Sequence, residues 1–395
     1  MKFPADGSHL KTKSYLHKLF KEVEGYRWEK TVGALYCQPH EVSVNLWKKF
    51  IHLNPNNIGN WTVKEKKKAY GTARVERLLM FQLLDLYSSH RTRWGGYMTS
   101  GATEGNLFSA WLGRMSLEQK IDKSSITMVL NDLSHYSLAK AASVVGVKIS
   151  YAMLSRKLWV FDVDSLIDTI TALSQKGHEG FLLPLTLGYT TTGSSDDYKK
   201  IVNEMVKLEK KLKIKIYIWI DAALNGLVDP FINPELILDT PKINSFVCDF
   251  HKFGLTPIPS GFVLYRSSLE NLIRSDVSYM THDVGTLSGS RSGVSAVASF
   301  GVIHTLGRKG FERVIKNCLY RKKAFILRES NGLKKCEIVD IENGVAIGLV
   351  TNKPLGSEIC RKYGLFSKKK TYRFSEGNED LYIYKMSFLY RRSAQ

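Results

Sequence analysis

The sequence predicts an α/β protein, with a mainly parallel central sheet in a large domain and a small α+β domain after it. Three observations predict it. Strand-length apolar runs alternate with helix-length stretches between residues 61 and 285, the pattern of successive βα units. Two of those runs end in chemically useful polar residues, at Asp221 and at Asp249-Phe-His-Lys252, where open parallel sheets hold their ligands. Beyond residue 330 the pattern changes to strand-like stretches at 336–349 and 371–387 around a helix near 356–364.

In chain order, residues 1–60 carry short helical segments at Tyr15–Val23 and Glu41–Leu53. Helices are expected at 63–88, 104–121, 135–145, 163–176 and 196–213, and a helix pair at 291–329. Strands are expected at 126–131, 147–152, 180–186, 215–220, 245–249 and 262–265. The clearest is the run in which Ile214, Ile216, Ile218 and Ile220 alternate with Lys215, Tyr217 and Trp219. Val206–Ile214 before it reads as the solvated face of an amphipathic helix. The expected division is an N-terminal helical segment (1–60), a large α/β domain (61–290) and a small C-terminal α+β domain (291–395).

Composition narrows the function. The 395 residues are 44% hydrophobic, as in a globular chain able to bury a large core. The longest apolar runs, such as Phe181–Leu187 and Ile216–Ile220, are too short to span a bilayer. The start, MKFPADGSHLKTK, has no apolar core of signal-peptide type. Five scattered cysteines with no CxxC pair, and no HExxH motif, point to reduced thiols in the cytoplasm and to no metal site. The net charge of +20 comes from dispersed clusters at Lys207–Lys215, Lys368–Lys370 and Arg391–Arg392. No nucleic-acid motif accompanies them, so no specific nucleic-acid partner is expected.

Four segments carry chemistry. Lys252 follows the apolar Phe246-Val247; burial at a strand end lowers a lysine's pKa and frees its amine to form a Schiff base, though a strand-end lysine also snorkels to solvent. Asp221-Ala222-Ala223 ends the isoleucine strand, and an acid followed by two small residues suits a flat ligand, or serves as an ordinary turn. Thr99-Ser100-Gly101-Ala102-Thr103 feeds a helix start, where free N–H groups and the helix dipole favour an anion such as phosphate, or simply cap a helix. His135, after the apolar Ile126–Leu130, can stack on a ring or act as a cap.

In this order, TSGATEGN at 99–106, SHYS at 134–137, LGYTTTGSSDD at 187–197, DAALNG at 221–226, DFHKFG at 249–254 and GTLSGSRSG at 285–293 resemble the group II pyridoxal 5′-phosphate (PLP)-dependent amino-acid decarboxylases. Asn56-Asn57-Ile58-Gly59-Asn60-Trp61 and the SHYS and SGSRSG runs look most like histidine and serine decarboxylases. The run from His251 to Gly261 looks more like archaeal tyrosine/aspartate decarboxylases and, more distantly, sphingosine-phosphate lyases.

The resemblance implies the aspartate-aminotransferase-like fold (fold type I), a homodimer with sites at its interface, PLP as cofactor, and decarboxylation of an L-amino acid to amine and CO2. Lys252 would hold the cofactor covalently, Asp221 would pair with its ring nitrogen, and His135 would stack on its ring. Ser100, Gly101, Ala102, Thr103, Thr190, Ala223 and His251 would surround it, with Ser100 and Thr103 nearest the phosphate. Ser290 or Arg291 would reach the site across the dimer interface. Tyr279 is the candidate proton donor at the α-carbon, with Lys252 or His251 as substitutes and interface packing as its alternative role. The chain departs from the family at Ala102, where glycine is usual, at Trp219, often histidine, and at Tyr189, which puts a phenol near the substrate. A histidine-like or aromatic substrate is expected. The alternative is a PLP-dependent carbon–carbon lyase.

Overall fold

The computed structural model describes residues 37–60, 71–274, 285–329 and 335–391, with His17 and Leu333. Most expected elements fall within a few residues of their places. The expected helix at Tyr15–Val23 and the start of the one at 63–88 lie outside the described residues; the latter is seen as Gly71–Tyr87.

The central sheet has seven strands: β1 (Trp94–Thr99), β2 (Ile126–Leu130), β3 (Lys148–Tyr151), β6 (Gly180–Thr186), β7 (Lys215–Asp221), β8 (Ile243–Asp249) and β9 (Gly261–Arg266). Their order is β1-β9-β8-β7-β6-β2-β3. Every pairing from β8 to β3 is parallel, whereas β9 runs antiparallel to both its neighbours. Strand β1 was not expected: Gly95 and Gly96 break its apolar pattern. Gly96 is required there, since a Cβ would lie 2.7 Å from Val263 O of β9.

Side chains alternate across this sheet, so each strand feeds two cores. Phe181, Leu183, Leu185, Ile216, Ile218 and Ile220 pack on one face with the helices Gly71–Tyr87, Val163–Gln175 and Tyr198–Leu212. Leu182, Tyr217 and Trp219 pack on the other with Ala102–Leu117 and Tyr136–Val145. Burial on both faces is why β2 and β6 read as continuous apolar runs.

The second sheet has six strands, β4 (Leu154–Ser155), β5 (Val160–Phe161), β10 (Glu337–Asp340), β11 (Ala346–Thr351), β12 (Lys370–Phe374) and β13 (Gly377–Ser387), in the order β10-β11-β13-β12-β4-β5. The two expected C-terminal stretches resolve into β10 (Glu337–Asp340) with β11 (Ala346–Thr351), and β12 (Lys370–Phe374) with β13 (Gly377–Ser387). The remaining strands, β4 (Leu154–Ser155) and β5 (Val160–Phe161), come from the large-sheet region. Arg156 ties them in, reaching Glu337 and Glu379, while Trp159 packs edge-on against Phe374 at 5.2 Å. The expected helix pair is two helices within Gly293–Glu329 that meet at Gly307, where φ is +54°. Among the described residues no helix is long and apolar enough to cross a membrane.

Candidate active site

The carboxyl ends of β2, β6, β7 and β8 open onto one cavity of about 320 Å³. The helix Ala102–Leu117 aims its N-terminus into it. That helix sits close on β8 because Gly105 carries no side chain: a Cβ there would be 2.5 Å from Val247 Cγ1. Gly101 is similarly confined, its Cβ position being 3.2 Å from both Asp249 Oδ1 and His251 Cε1. Asp249 locks this junction by accepting the Ala102 N–H at 2.6 Å. Ser100 and Thr103 are left exposed at the helix start, on the cavity wall.

Lys252 lies three residues beyond β8, its side chain 14% exposed, with Nζ 3.0 Å from Asp249 Oδ2. Burial alone would lower its pKa. The charge and hydrogen bond of Asp249, with help from Asp221, more than offset that, and the lysine is held above its usual range. Asp249 is in turn held below the usual carboxylate range: burial opposes its charge, but Lys252 and His251 outweigh it. The expected depressed lysine pKa is therefore corrected, because the strand end that buries the amine also supplies its counter-ion. His251 Nδ1 lies 2.8 Å from Ser260 O, and since a carbonyl only accepts, that nitrogen carries the proton.

Asp221 ends β7 almost fully buried. Its Oδ2 accepts from Asn106 Nδ2 at 2.8 Å and its Oδ1 from the Ala223 N–H at 3.2 Å. Trp219 fixes that amide: its indole N–H donates to Asn106 Oδ1 at 3.1 Å, so the amide nitrogen must face Asp221 and Ser137. Nothing in the motif TSGATEGN marks Asn106 for this role, because its partner Trp219 stands 113 residues away. Trp219, noted as a departure, is the group that orients it.

His135 caps the helix Tyr136–Val145, its Nδ1 receiving the Ser137 N–H. Burial lowers its pKa, with Asp221 opposing and Lys252 reinforcing, which favours the neutral ring. Tyr189 lies on the cavity wall, but its hydroxyl turns away to donate to Asp196 at 2.9 Å. Burial pushes Asp196 up to about 6, and its two backbone donors, Thr186 N–H and Phe161 N–H, anchor the loop that carries Thr190.

Ser100, Gly101, Ala102, Thr103, His135, Thr190, Asp221, Ala223, His251 and Lys252 thus line one pocket. Ser290 does not line it within a single chain; it is exposed and accepts from Asn56 Nδ2 at 2.9 Å. Arg291 is consumed elsewhere, in a buried ion pair with Glu76 and a bond to Met98 O at 3.0 Å. Tyr279 lies outside the described residues. The pocket suits a flat phosphorylated ring: a side-chain-free cradle at Gly101, a helix N-terminus for phosphate, a buried carboxylate and a lysine amine share one wall system.

Comparison with known proteins agrees. The sequence pattern of the pyridoxal-dependent decarboxylase conserved domain matches residues 73–351. A probable L-tyrosine/L-aspartate decarboxylase of Methanosphaerula palustris is 29% identical over 346 residues, covering 86% of either chain. A tryptophan decarboxylase of Clostridium sporogenes is 27% identical over 79% of this chain and 75% of that protein. The crystal structure of L-methionine decarboxylase from Streptomyces sp. 590 superposes with a TM-score of 0.82 at 17% identity, covering 98% of this chain and 93% of that one. At that identity the likeness speaks for the fold, which is fold type I as expected.

Proposed function

Because the chain belongs to the pyridoxal-dependent decarboxylase family and is a PLP-dependent amino-acid decarboxylase, we propose that the pocket of Lys252, Asp221 and His135 is where CO2 leaves an L-amino acid. The convergence of these three side chains, from three distant parts of the chain, below one helix N-terminus carries this reading. PLP bound there supplies a sink for the electron pair that departing CO2 leaves behind.

The chain's residues do the rest. Lys252 Nζ is the amine for covalent attachment and, kept charged by Asp249, a proton source on the pocket floor. Asp221, fixed by Asn106 and the Ala223 N–H, presents a rigid negative charge to the ring nitrogen. Neutral His135 offers a flat face for stacking. Ser100, Thr103 and the helix start hold phosphate, while Gly101, Ala102, Thr190, Ala223 and His251 close the walls. Tyr279 keeps its proposed role as proton donor at the α-carbon.

We further propose a cytoplasmic homodimer in which Ser290 serves the partner's site, and a division of the chain near residues 60 and 290. The family resemblance and the free state of all five cysteines support this. The relatives' names add tyrosine, aspartate and tryptophan to the histidine-like and aromatic side chains to be tried. A carbon–carbon lyase is not favoured, since the matching family and these relatives are decarboxylases. Borohydride reduction of the PLP-loaded protein, followed by peptide mapping, tests the site: the pyridoxyl label belongs on the peptide carrying Lys252. A label on any other lysine would move the site elsewhere.

A further inference from the structure

A second cavity, of about 330 Å³, lies next to the catalytic pocket. Leu187, Ile237, Phe246 and the ring of Tyr87 give it an apolar wall. The Tyr87 hydroxyl is already engaged, donating to Gly226 O at 2.8 Å. The chain carries a net charge of +20, yet no lysine, arginine or histidine lines this cavity, whereas Asp196, Asp229, Glu235 and Glu342 do.

Two of these acids are occupied. Asp196 accepts from the Thr186 and Phe161 N–H groups, and Glu235 holds Lys199 at 2.8 Å and the Tyr198 hydroxyl at 2.8 Å. Asp229 is different. It is largely buried at the start of the short helix Asp229–Ile232, and among the described residues no donor or cation reaches its carboxylate. Arg308, which packs on that helix, is spent on Pro230 O at 3.0 Å and on the Phe231 ring. Burial, then Glu235, push the pKa of Asp229 up to about 7. An unpaired buried carboxylate is costly, and a cation in the cavity would remove that cost.

The two cavities are separate. Gly188 lines the catalytic pocket and Asn225 lines the second cavity. A Cβ on Gly188 would lie 2.8 Å from Asn225 Cγ, so the two residues pack directly together as a shared wall. The Gly188 N–H donates to Ser195 Oγ at 2.9 Å, and Asn225 Nδ2 donates to the same oxygen at 3.4 Å. An occupant of the second cavity therefore bears on the loop that carries Tyr189 and Thr190.

We propose that this cavity is a second ligand site, which binds a primary amine with an apolar body, its ammonium on Asp229 and its body against Tyr87 and Phe246. A metal ion is the wrong occupant, because among the described residues no three ligating side chains come together. A neutral apolar molecule would leave Asp229 without a partner, and an anion would meet four acids. On the decarboxylase reading the catalytic pocket itself releases compounds of this class; the link to the reaction rests on that reading, whereas the binding does not.

The test is calorimetric titration of phenethylamine, with 2-phenylethanol as its uncharged analogue, into the full PLP-loaded chain. Borohydride reduction beforehand stops the amine from exchanging with Lys252, and the PLP band before reduction shows that each variant is folded. The wild type should bind phenethylamine, and 2-phenylethanol roughly 30-fold or more weakly. Asp229→Asn should lose a similar factor for the amine and leave the alcohol unchanged. Glu342→Lys, an exposed change that puts an ammonium beside the site, should weaken the amine roughly 10-fold. It keeps the test open should Asp229→Asn fail to hold PLP. A wild type that binds no phenethylamine, or binds amine and alcohol equally, would overturn the proposal. So would amine binding that the variants leave intact, since the amine would then sit in the catalytic pocket. Binding is read without turnover, so failure of the decarboxylase reading, tested by CO2 release, is distinguished from failure of this one.

Discussion

The ion pair between Lys252 and Asp249 sets the protonation of the pocket before any ligand arrives. The two charges, 3.0 Å apart, stabilise each other against burial, which alone would neutralise both. Attachment of PLP needs the neutral amine, and a raised lysine pKa makes that form scarce at neutral pH. The rate of PLP attachment to the cofactor-free protein should therefore keep rising from about pH 7 to about pH 10, the range over which an ordinary lysine deprotonates. Stopped-flow absorbance measures it. A rate that levels off well below the ordinary lysine pKa would show that burial, not Asp249, governs Lys252. At this scale the sequence revealed the reactive types but not their pairings. Lys252, Asp221 and His135 stand out because each is polar at the end of an apolar run. Asn106 does not, because only the fold brings Trp219 to its carbonyl and Asp221 to its amide.

The element that builds the site is the helix Ala102–Leu117. Its N-terminus reaches the cavity only because the helix lies almost on the sheet, and glycines allow that approach. At Gly105 a Cβ would meet Val247 Cγ1 at 2.5 Å, and at Gly113 one would meet Tyr217 Cδ1 at 2.7 Å. Gly105→Ala should cost about 1–3 kcal/mol despite alanine's better helix propensity, because overpacking outweighs propensity. It should also weaken PLP binding by lifting the phosphate cradle. Val247→Ala in the same chain should restore much of both. Denaturant unfolding and PLP titration of the single and double variants check this; a fully additive double variant would mean that the close seat is not what Gly105 provides. Helices and buried strands were legible from their periods. Strand β1 was not, because Gly95 and Gly96, needed for close approach to β9, remove the apolar signal on which strand reading depends.

For the whole molecule, the βα alternation gave the parallel sheet, and the crowding of polar residues at strand ends gave the site's position. The second sheet was only half visible. Its C-terminal strands follow one another in sequence, but β4 and β5 are two residues each and join it across more than two hundred positions, through Phe374 and Leu154. No local pattern encodes such a pairing. The consequence is functional: β4, β5 and β13 share the buried cluster that contains Leu133 and Tyr189, so the second sheet packs against two residues of the pocket wall. The net charge of +20 also takes on meaning at this scale. Lys207, Lys210, Lys211, Lys213 and Lys215 are exposed around the amino end of the central strand β7, and a surplus of positive charge speeds the approach of anionic ligands such as PLP.

The measurement that bears most directly on this account is CO2 release from a panel of L-amino acids by the PLP-loaded protein, with Lys252→Ala as control. The account predicts release from one or a few substrates, abolished in the variant. A yellow, PLP-bound wild type that releases no CO2 from any of them would contradict it.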